Sequence, residues 1–236
     1  MVSWLESTTP NSAKNGLKYW CQDETRIGLK TIERKKITAR GVKPIGKVQW
    51  NFKAYYLYGA IAPQTGESFW LEFSHLDSLC FQIFLEQLAG EYPDNLNVIQ
   101  LDNGRFHHSS SLKIPDNILL IFQPPYSPEL NPIERVWQHI KQELSWEIYD
   151  SLDEIKEKVR AFIEKFSRET IASITGWDYI QSALATVAEF WRNGIIQSLI
   201  AKKLDPETIW NSKLSNLSTA LDRVLMSLFK SYVCLG

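Results

Sequence analysis

Cysteine is scarce in this chain, and so is any excess of charge. Cys21, Cys80 and Cys234 are the only three cysteines. An odd number so widely spaced builds neither a disulfide framework nor a zinc site, and it suits a reducing compartment. Lys and Arg number 26 against 27 Asp and Glu, a formal net charge of −1, so any attraction to a polyanion must come from local clustering. No apolar run approaches the length that crosses a bilayer. Met1 to Lys14 holds no apolar core of signal-peptide type. There is no internal repeat. We expect a cytoplasmic protein with no membrane partner.

What is present is an ordinary globular composition, with 44% hydrophobic and 22% charged residues. The 236 residues suffice for one good-sized domain, with or without an appendage. Met1 to Gly16 reads as a loose lead-in. Strands are expected over Leu17–Glu24, Gln49–Ala62 and Glu67–Phe73, forming an antiparallel meander with a turn at Gln64-Thr65-Gly66. The aromatics Trp50, Phe52, Tyr55, Tyr56 and Tyr58 read as sheet core rather than as platforms for bases. Leu76, Leu79, Cys80, Ile83, Phe84 and Leu88 recur at helical spacing. Leu96–Leu101 and Ile118–Phe122 are short apolar runs, read as buried strands. Ser151 and Glu154 have capping-box spacing for a helix reaching about Phe166. Thr170–Val187 reads as helical with an interruption near Gly176. Beyond Ala188, Leu214, Leu217, Leu221, Val224 and Leu228 make an amphipathic helix, read as docked on its own domain.

Charge clusters in one place. Between Arg26 and Lys47 lie Arg26, Lys30, Arg34, Lys35, Lys36, Arg40, Lys43 and Lys47, with Glu33 the only acid. Gly41 and Pro44 break the stretch. One reading is a solvated hairpin or loop. The other is an arm that contacts phosphates, where Lys and Arg gain affinity by releasing counterions from DNA.

The most informative run is Gln123 to Trp137. Its first half, Gln-Pro-Pro-Tyr-Ser-Pro-Glu-Leu, forbids regular structure. Asn131 then reads as an N-cap and Pro132 as the first helical residue. Ile133, Val136, Trp137, Ile140 and Leu144 follow on one helical face, in a helix expected to reach about Tyr149. Glu134 sits in the first turn. Taken alone it completes a capping box with Asn131 and suits the helix dipole.

Three carboxylates stand at element ends: Asp23 after the first strand, Asp102 after the fourth, and Glu134 on the helix after the fifth. If the fourth strand lies beside the first, Asp23 and Asp102 meet at one edge and the helix carries Glu134 over them. Three ionised carboxylates cannot gather without a cation. Hard divalent ions prefer such oxygen ligands, and two of them can serve phosphoryl transfer. A lone acid at a strand end is more often a turn former.

Three stretches carry a resemblance. They are Gln22-Asp23-Glu24-Thr25-Arg26, Leu101-Asp102-Asn103 with His107, and Pro124 to Glu134. The chain resembles the catalytic domain of DDE transposases of the insertion-sequence 630 and Tc1/mariner superfamily over about Leu17 to Val187. The resemblance implies an α/β, ribonuclease H-like fold with a mixed five-stranded sheet flanked by helices. It divides the chain into a lead-in (1–16), a catalytic domain (17–187) and a helical tail (188–236). It implies that Asp23, Asp102 and Glu134 are the catalytic, metal-binding triad for Mg²⁺ or Mn²⁺, with two ions. Glu24 is not one of the three. Asn103 and His107 are carried over as candidate site-organising residues. With the resemblance, a catalytic Glu134 outweighs capping alone.

The implied activity is cleavage of double-stranded DNA at element ends, followed by strand transfer into a target, typically at a TA step. The residues from Arg26 to Lys47 would contact phosphates. The Asp102–Glu134 interval is shorter than the family's usual one. The helix-turn-helix modules that normally precede the catalytic domain have no room before Asp23, and the tail matches nothing in the family. Both ends suggest a partial element or the second reading frame of a split one. A separate helix-turn-helix chain and a second copy of this chain are therefore candidate partners. A non-catalytic remnant that binds DNA weakly, and a hydrolytic nuclease of the same fold, are the rival functions. An interaction module built on the tail helix is a third.

Overall fold

The computed structural model describes residues 16–177, except Lys36, Pro44, Asn103, Ser110 and residues 124–130. The lead-in, the proline-rich loop, the helix expected past residue 177 and the tail from 188 therefore lie outside the described residues, as do Lys36 and Asn103.

Five strands form one mixed sheet: β1 (Leu17–Gly28), β2 (Ala54–Ile61), β3 (Ser68–Phe73), β4 (Leu96–Leu101) and β5 (Ile118–Phe122). Their spatial order is β3-β2-β1-β4-β5. β1, β2 and β3 run antiparallel, while β4 and β5 are parallel to β1. The hairpin between β2 and β3 closes where Gly66 takes φ +70°, a conformation glycine adopts without strain. This is the mixed, helix-flanked sheet of the ribonuclease H-like fold, with the fourth strand beside the first.

Alternation along β1 divides the core into two layers. Tyr19, Cys21 and Ile27 belong to the cluster packed by α2 (Ile133–Glu143), α3 (Leu152–Ile163) and α4 (Arg168–Thr175). Trp20 belongs to the opposite cluster, packed by Phe81, Phe84, Leu85 and Leu88 of α1 (Ser78–Glu91). Trp20 Nε1 also donates to the buried Asn97 Oδ1 of β4 at 2.9 Å, pinning the central strand pair. On α2 the buried residues are Ile133, Val136, Trp137 and Ile140, the one-face spacing expected. α3 is capped by Ser151, whose side chain accepts from the Glu154 amide at 3.1 Å. Glu154 answers one residue earlier than a strict capping box, taking the Asp150 amide at 2.8 Å.

Several expected boundaries shift for identifiable reasons. β1 continues past Glu24 to Gly28, because Thr25 and Ile27 are buried and every residue from Cys21 to Gly28 pairs with β2. Asp23 is thus inside the strand, not at its end. β2 begins at Ala54, not Gln49, and Trp50 and Phe52 are 66% and 64% exposed rather than core. The helix from Asn131 ends at Glu143, short of Tyr149. There Trp146 adopts φ +65°, while its amide and Nε1 each donate at 3.0 Å to carbonyls of Ile32 and Arg34. Asn131 does not cap α2 through its side chain. Its Nδ2 instead donates to the Gln22 carbonyl at 2.9 Å, tying the start of the helix to β1. That tertiary bond displaces the local one the spacing suggested. α4 ends at Gly176 as the interruption there implied.

Gly59 of β2 lies opposite Asp23 in the register. A Cβ there would fall 2.3 Å from Trp70 Cζ3 and 2.7 Å from Trp137 Cη2. Trp137 is buried and Trp70 partly so, and their packing against each other leaves little room to retreat. We expect Gly59→Ala to cost about 1–3 kcal/mol, the usual penalty of overpacking, read as a lower urea midpoint at unchanged slope.

Candidate active site

β1 and β4 pair in register from Leu17–Leu96 to Cys21–Gln100. Extending that register by two positions sets Asp102, the residue after β4, opposite Asp23. β4 has ended by then, so the ladder opens where the two acids stand. Aligned residues of parallel strands face the same side of a sheet, here the side covered by α2. Trp137 of α2 donates Nε1–H to Asp23 Oδ2 at 2.8 Å. Its ring fits because Gly59 leaves the space, and it meets Trp70 edge-on at 5.5 Å.

Glu134 stands in the first turn of the same helix. Its charge reaches Asp23. Burial, then the charges of Glu24 and Glu134, push the Asp23 carboxyl up to about 7, against the lowering bonds from the Glu24 amide and Trp137. A carboxyl that burial first and neighbouring acids second make hard to ionise marks a place short of positive charge.

Asp102 is oriented differently. Its side chain is 58% exposed. Oδ1 accepts from the Gly104 amide at 2.8 Å and lies 3.0 Å from His107 Nδ1. His107 sits on a short 3₁₀ turn, Arg105–His108, with its ring against Phe81 and Phe106 at 4.5 and 4.0 Å. Its Nε2 lies 3.3 Å from Glu24 Oε1. Both ring nitrogens thus face carboxylates. Burial opposes a charge on this ring, but the bonds to Asp102 and Glu24 outweigh it and raise the pKa to about 9. The ring is therefore an imidazolium at neutral pH and donates from both nitrogens.

Register extended past the end of the ladder sets Asp102 level with Asp23. α2 brings Glu134 within electrostatic reach of Asp23, where the charges that act most strongly are Glu24 and Glu134, not Asp102. Among the described residues, no three His, Cys, Asp or Glu side chains converge closely enough to hold a metal ion. Three contributors escape the sequence reading: Trp137, which reads only as core; Gly59; and Glu24, which is not one of the three acids. The signal for Glu24 is nonetheless present. It is an acid inside a buried strand, one residue from Asp23, and so on the opposite face.

The basic stretch splits. Arg26 lies on β1 and donates Nη2–H to the Phe52 carbonyl at 2.8 Å. Lys30 Nζ rests 4.7 Å from the Trp50 ring centroid. Arg34 is half-buried, and Lys35, Arg40, Lys43 and Lys47 are exposed on the long connection from β1 to β2.

The family model described as DDE superfamily endonuclease matches residues 18–156. An uncharacterized protein of Sinorhizobium fredii, y4pE/y4sA, is 38% identical over 102 residues, 42% of this chain and 76% of that protein. The uncharacterized 39 kDa protein of insertion element IS630 from Shigella sonnei is 31% identical over 119 residues, 48% of this chain and 35% of that protein. Among solved structures, the Mos1 strand transfer complex superposes with TM-score 0.55 at 15% identity, covering 74% of this chain and 55% of that one. The Mos1 mariner paired end complex with Mn gives 0.52 at 14% identity, over 76% and 55%. These two likenesses establish the fold. The chain spans just over half of the Mos1 chains and about a third of the IS630 protein. No described helix is long and apolar enough to cross a membrane. With the family match over most of the sheet and its helices, the chain belongs to the DDE superfamily of endonucleases.

Proposed function

We propose that this chain is a transposase catalytic domain that cuts and joins DNA, using divalent cations held by Asp23, Asp102 and Glu134. The observation that carries the reading is the environment of Asp23: a buried carboxylate raised to about 7 by desolvation and by like charges. Glu134 is one of those charges, and Asp102 is the residue β4 delivers opposite it. The donor set is all oxygen and net negative, which fits Mg²⁺ or Mn²⁺. One Mos1 relative was solved with Mn. Two ions are the number the family resemblance implies.

When bound, the ions supply neutralisation of the carboxylates and activation of the attacking oxygen. The chain's own residues do the rest. Trp137 fixes the Asp23 carboxylate on the α2 side of the sheet. Asn131 holds the first turn of α2, and with it Glu134, against Gln22. In cleavage a water oxygen bonds to phosphorus and the 3′ oxygen leaves as a hydroxyl. In strand transfer the oxygen of that hydroxyl bonds to a target phosphorus, the target's own P–O3′ bond breaks, and the leaving oxygen takes up a proton as the attacking hydroxyl gives one up. Two solved Mos1 relatives are complexes with a transposon end or of strand transfer, which supports double-stranded DNA as the partner. Arg40, Lys43 and Lys47, exposed on the β1–β2 connection, are proposed to hold its phosphates. A helix-turn-helix chain and a second copy of this chain are the further partners expected.

Calorimetry with Mn²⁺ tests the site directly. Wild type should bind, and Asp102→Asn should abolish binding. A folded wild type that takes no Mn²⁺ at the highest soluble concentrations overturns the reading in favour of a non-catalytic remnant. The DNA arm is tested by salt. Replacing Arg40, Lys43 and Lys47 with Gln should weaken duplex binding and flatten the plot of log affinity against log salt, by about 0.9 for each phosphate no longer neutralised. An unchanged slope removes the arm from the interface.

Asp23 also makes stability depend on pH. Its folded pKa, about 7, lies above the ordinary 3.8. Ionising it therefore costs more in the folded state, and stability falls as pH rises from about 4 to about 7. Without metal, Asp23→Asn should be more stable than wild type at pH 8, by on the order of a few kcal/mol. The advantage should vanish near pH 4. Thermal melts at both pH values check this.

A further inference from the structure

We propose that Glu24 is a positioning residue for Asp102, acting through His107. The inference rests on the reading that Asp102 is a cation ligand. Glu24 follows Asp23 in β1, so it projects to the opposite face, toward α1. Its side chain is only 6% exposed. An acid that well buried is expensive unless it is bound. Two donors bind it there: Gln22 Nε2 at 2.7 Å and His107 Nε2 at 3.3 Å, both on Oε1. His107 is itself nearly inaccessible, at 1% exposure, and packs between Phe81 and Phe106. With Nε2 anchored at Glu24 and the ring faces packed, Nδ1 is aimed at Asp102, 3.0 Å from its Oδ1 and 3.2 Å from its backbone carbonyl.

The result is a chain of contacts that runs through the sheet edge from one face to the other. Asp102 is more than half exposed at the end of a strand, where an unsupported carboxylate would rotate. Two donors on one oxygen, the Gly104 amide and His107 Nδ1, fix its plane. A carboxylate can hold a cation through its second oxygen while the first keeps its hydrogen bonds. Outer partners of this kind orient metal ligands, and their loss typically costs 10–100-fold in metal affinity. Glu24 is in this sense the far anchor of Asp102, although it shares no face with the triad.

The test compares wild type with Glu24→Gln and His107→Gln in the full chain. The first readout is nuclear magnetic resonance of the His107 ring nitrogens and of the Asp102 carboxyl carbon, without metal. Glu24→Gln should shift both. An unmoved Asp102 signal overturns the proposal. The second readout is Mn²⁺ affinity by calorimetry. Charge alone would weaken binding in Glu24→Gln, which removes a negative group, and would not weaken it in His107→Gln, which removes none. Positioning weakens it in both, by about tenfold or more, and leaves the double variant no weaker than the weaker single one. Affinity that is not weakened in His107→Gln, additive losses, or unchanged affinity in Glu24→Gln each overturns the proposal. Should Glu24→Gln fail to fold, Glu24→Asp, which shortens the reach to His107, carries the same two readouts and the same overturning outcomes. If wild type binds no Mn²⁺, the cation reading falls, and the Asp102 carbon signal alone decides whether Glu24 positions it.

Discussion

Parallel pairing between β1 and β4 is the constraint on which the site depends. The ladder holds from Leu17–Leu96 to Cys21–Gln100 and then stops, because β4 ends at Leu101. β1 does not stop, since β2 carries it on to Gly28. Asp23 is therefore held rigidly from one side and open on the other. Asp102 leaves the sheet at the point where that opening begins. A one-residue slip in the ladder would turn every β4 side chain to the other layer, taking Val98 out of the α2 layer and Asn97 away from Trp20. The buried Trp20–Asn97 hydrogen bond opposes that slip.

The second support is the attachment of α2, which meets β1 twice near the acids. Asn131 reaches the Gln22 carbonyl and Trp137 reaches the Asp23 carboxylate. The helix cannot pivot without breaking a buried hydrogen bond at one contact or the other. This rigidity has an energetic consequence. A buried carboxylate beside two others opposes folding, so part of the packing energy of α2 is spent on holding charges that repel. Catalytic sites tolerate such arrangements because the repulsion reverses into attraction when a cation arrives.

Much of this is legible in the chain, and the failures share a cause. β4 and β5 begin and end where expected, because Pro, Asp, Asn and Gly in the sequence on either side of them mark their limits. The acids at Asp102 and Glu134 follow from those limits. Asn131 misleads because its amide suits a local cap and a distant carbonyl equally well, and only the tertiary fold decides between them. Trp50 and Phe52 mislead because aromatic residues favour strands, yet β2 pairing begins only at Ala54. Glu24 can be assigned to a face by counting from Asp23. Its partner cannot be found that way, because His107 arrives from a turn far along the sequence.

The connection between β1 and β2 shows how the domain accommodates its exposed arm. Backbone bonds from Leu29 to Lys53 and from Thr31 to Gln49 zip its base. Ile32 and Arg34 are then stapled to Ser145 and Trp146 beyond α2. Past those fastenings the described chain bears Ile37 and Ile45 almost wholly in solvent. Closing a flexible loop costs entropy only as the logarithm of its length, so doubling it adds about 0.6 kcal/mol. The tip is thus nearly decoupled from the sheet. Its length and composition can drift toward a new partner while the strands and the acids stay where they are.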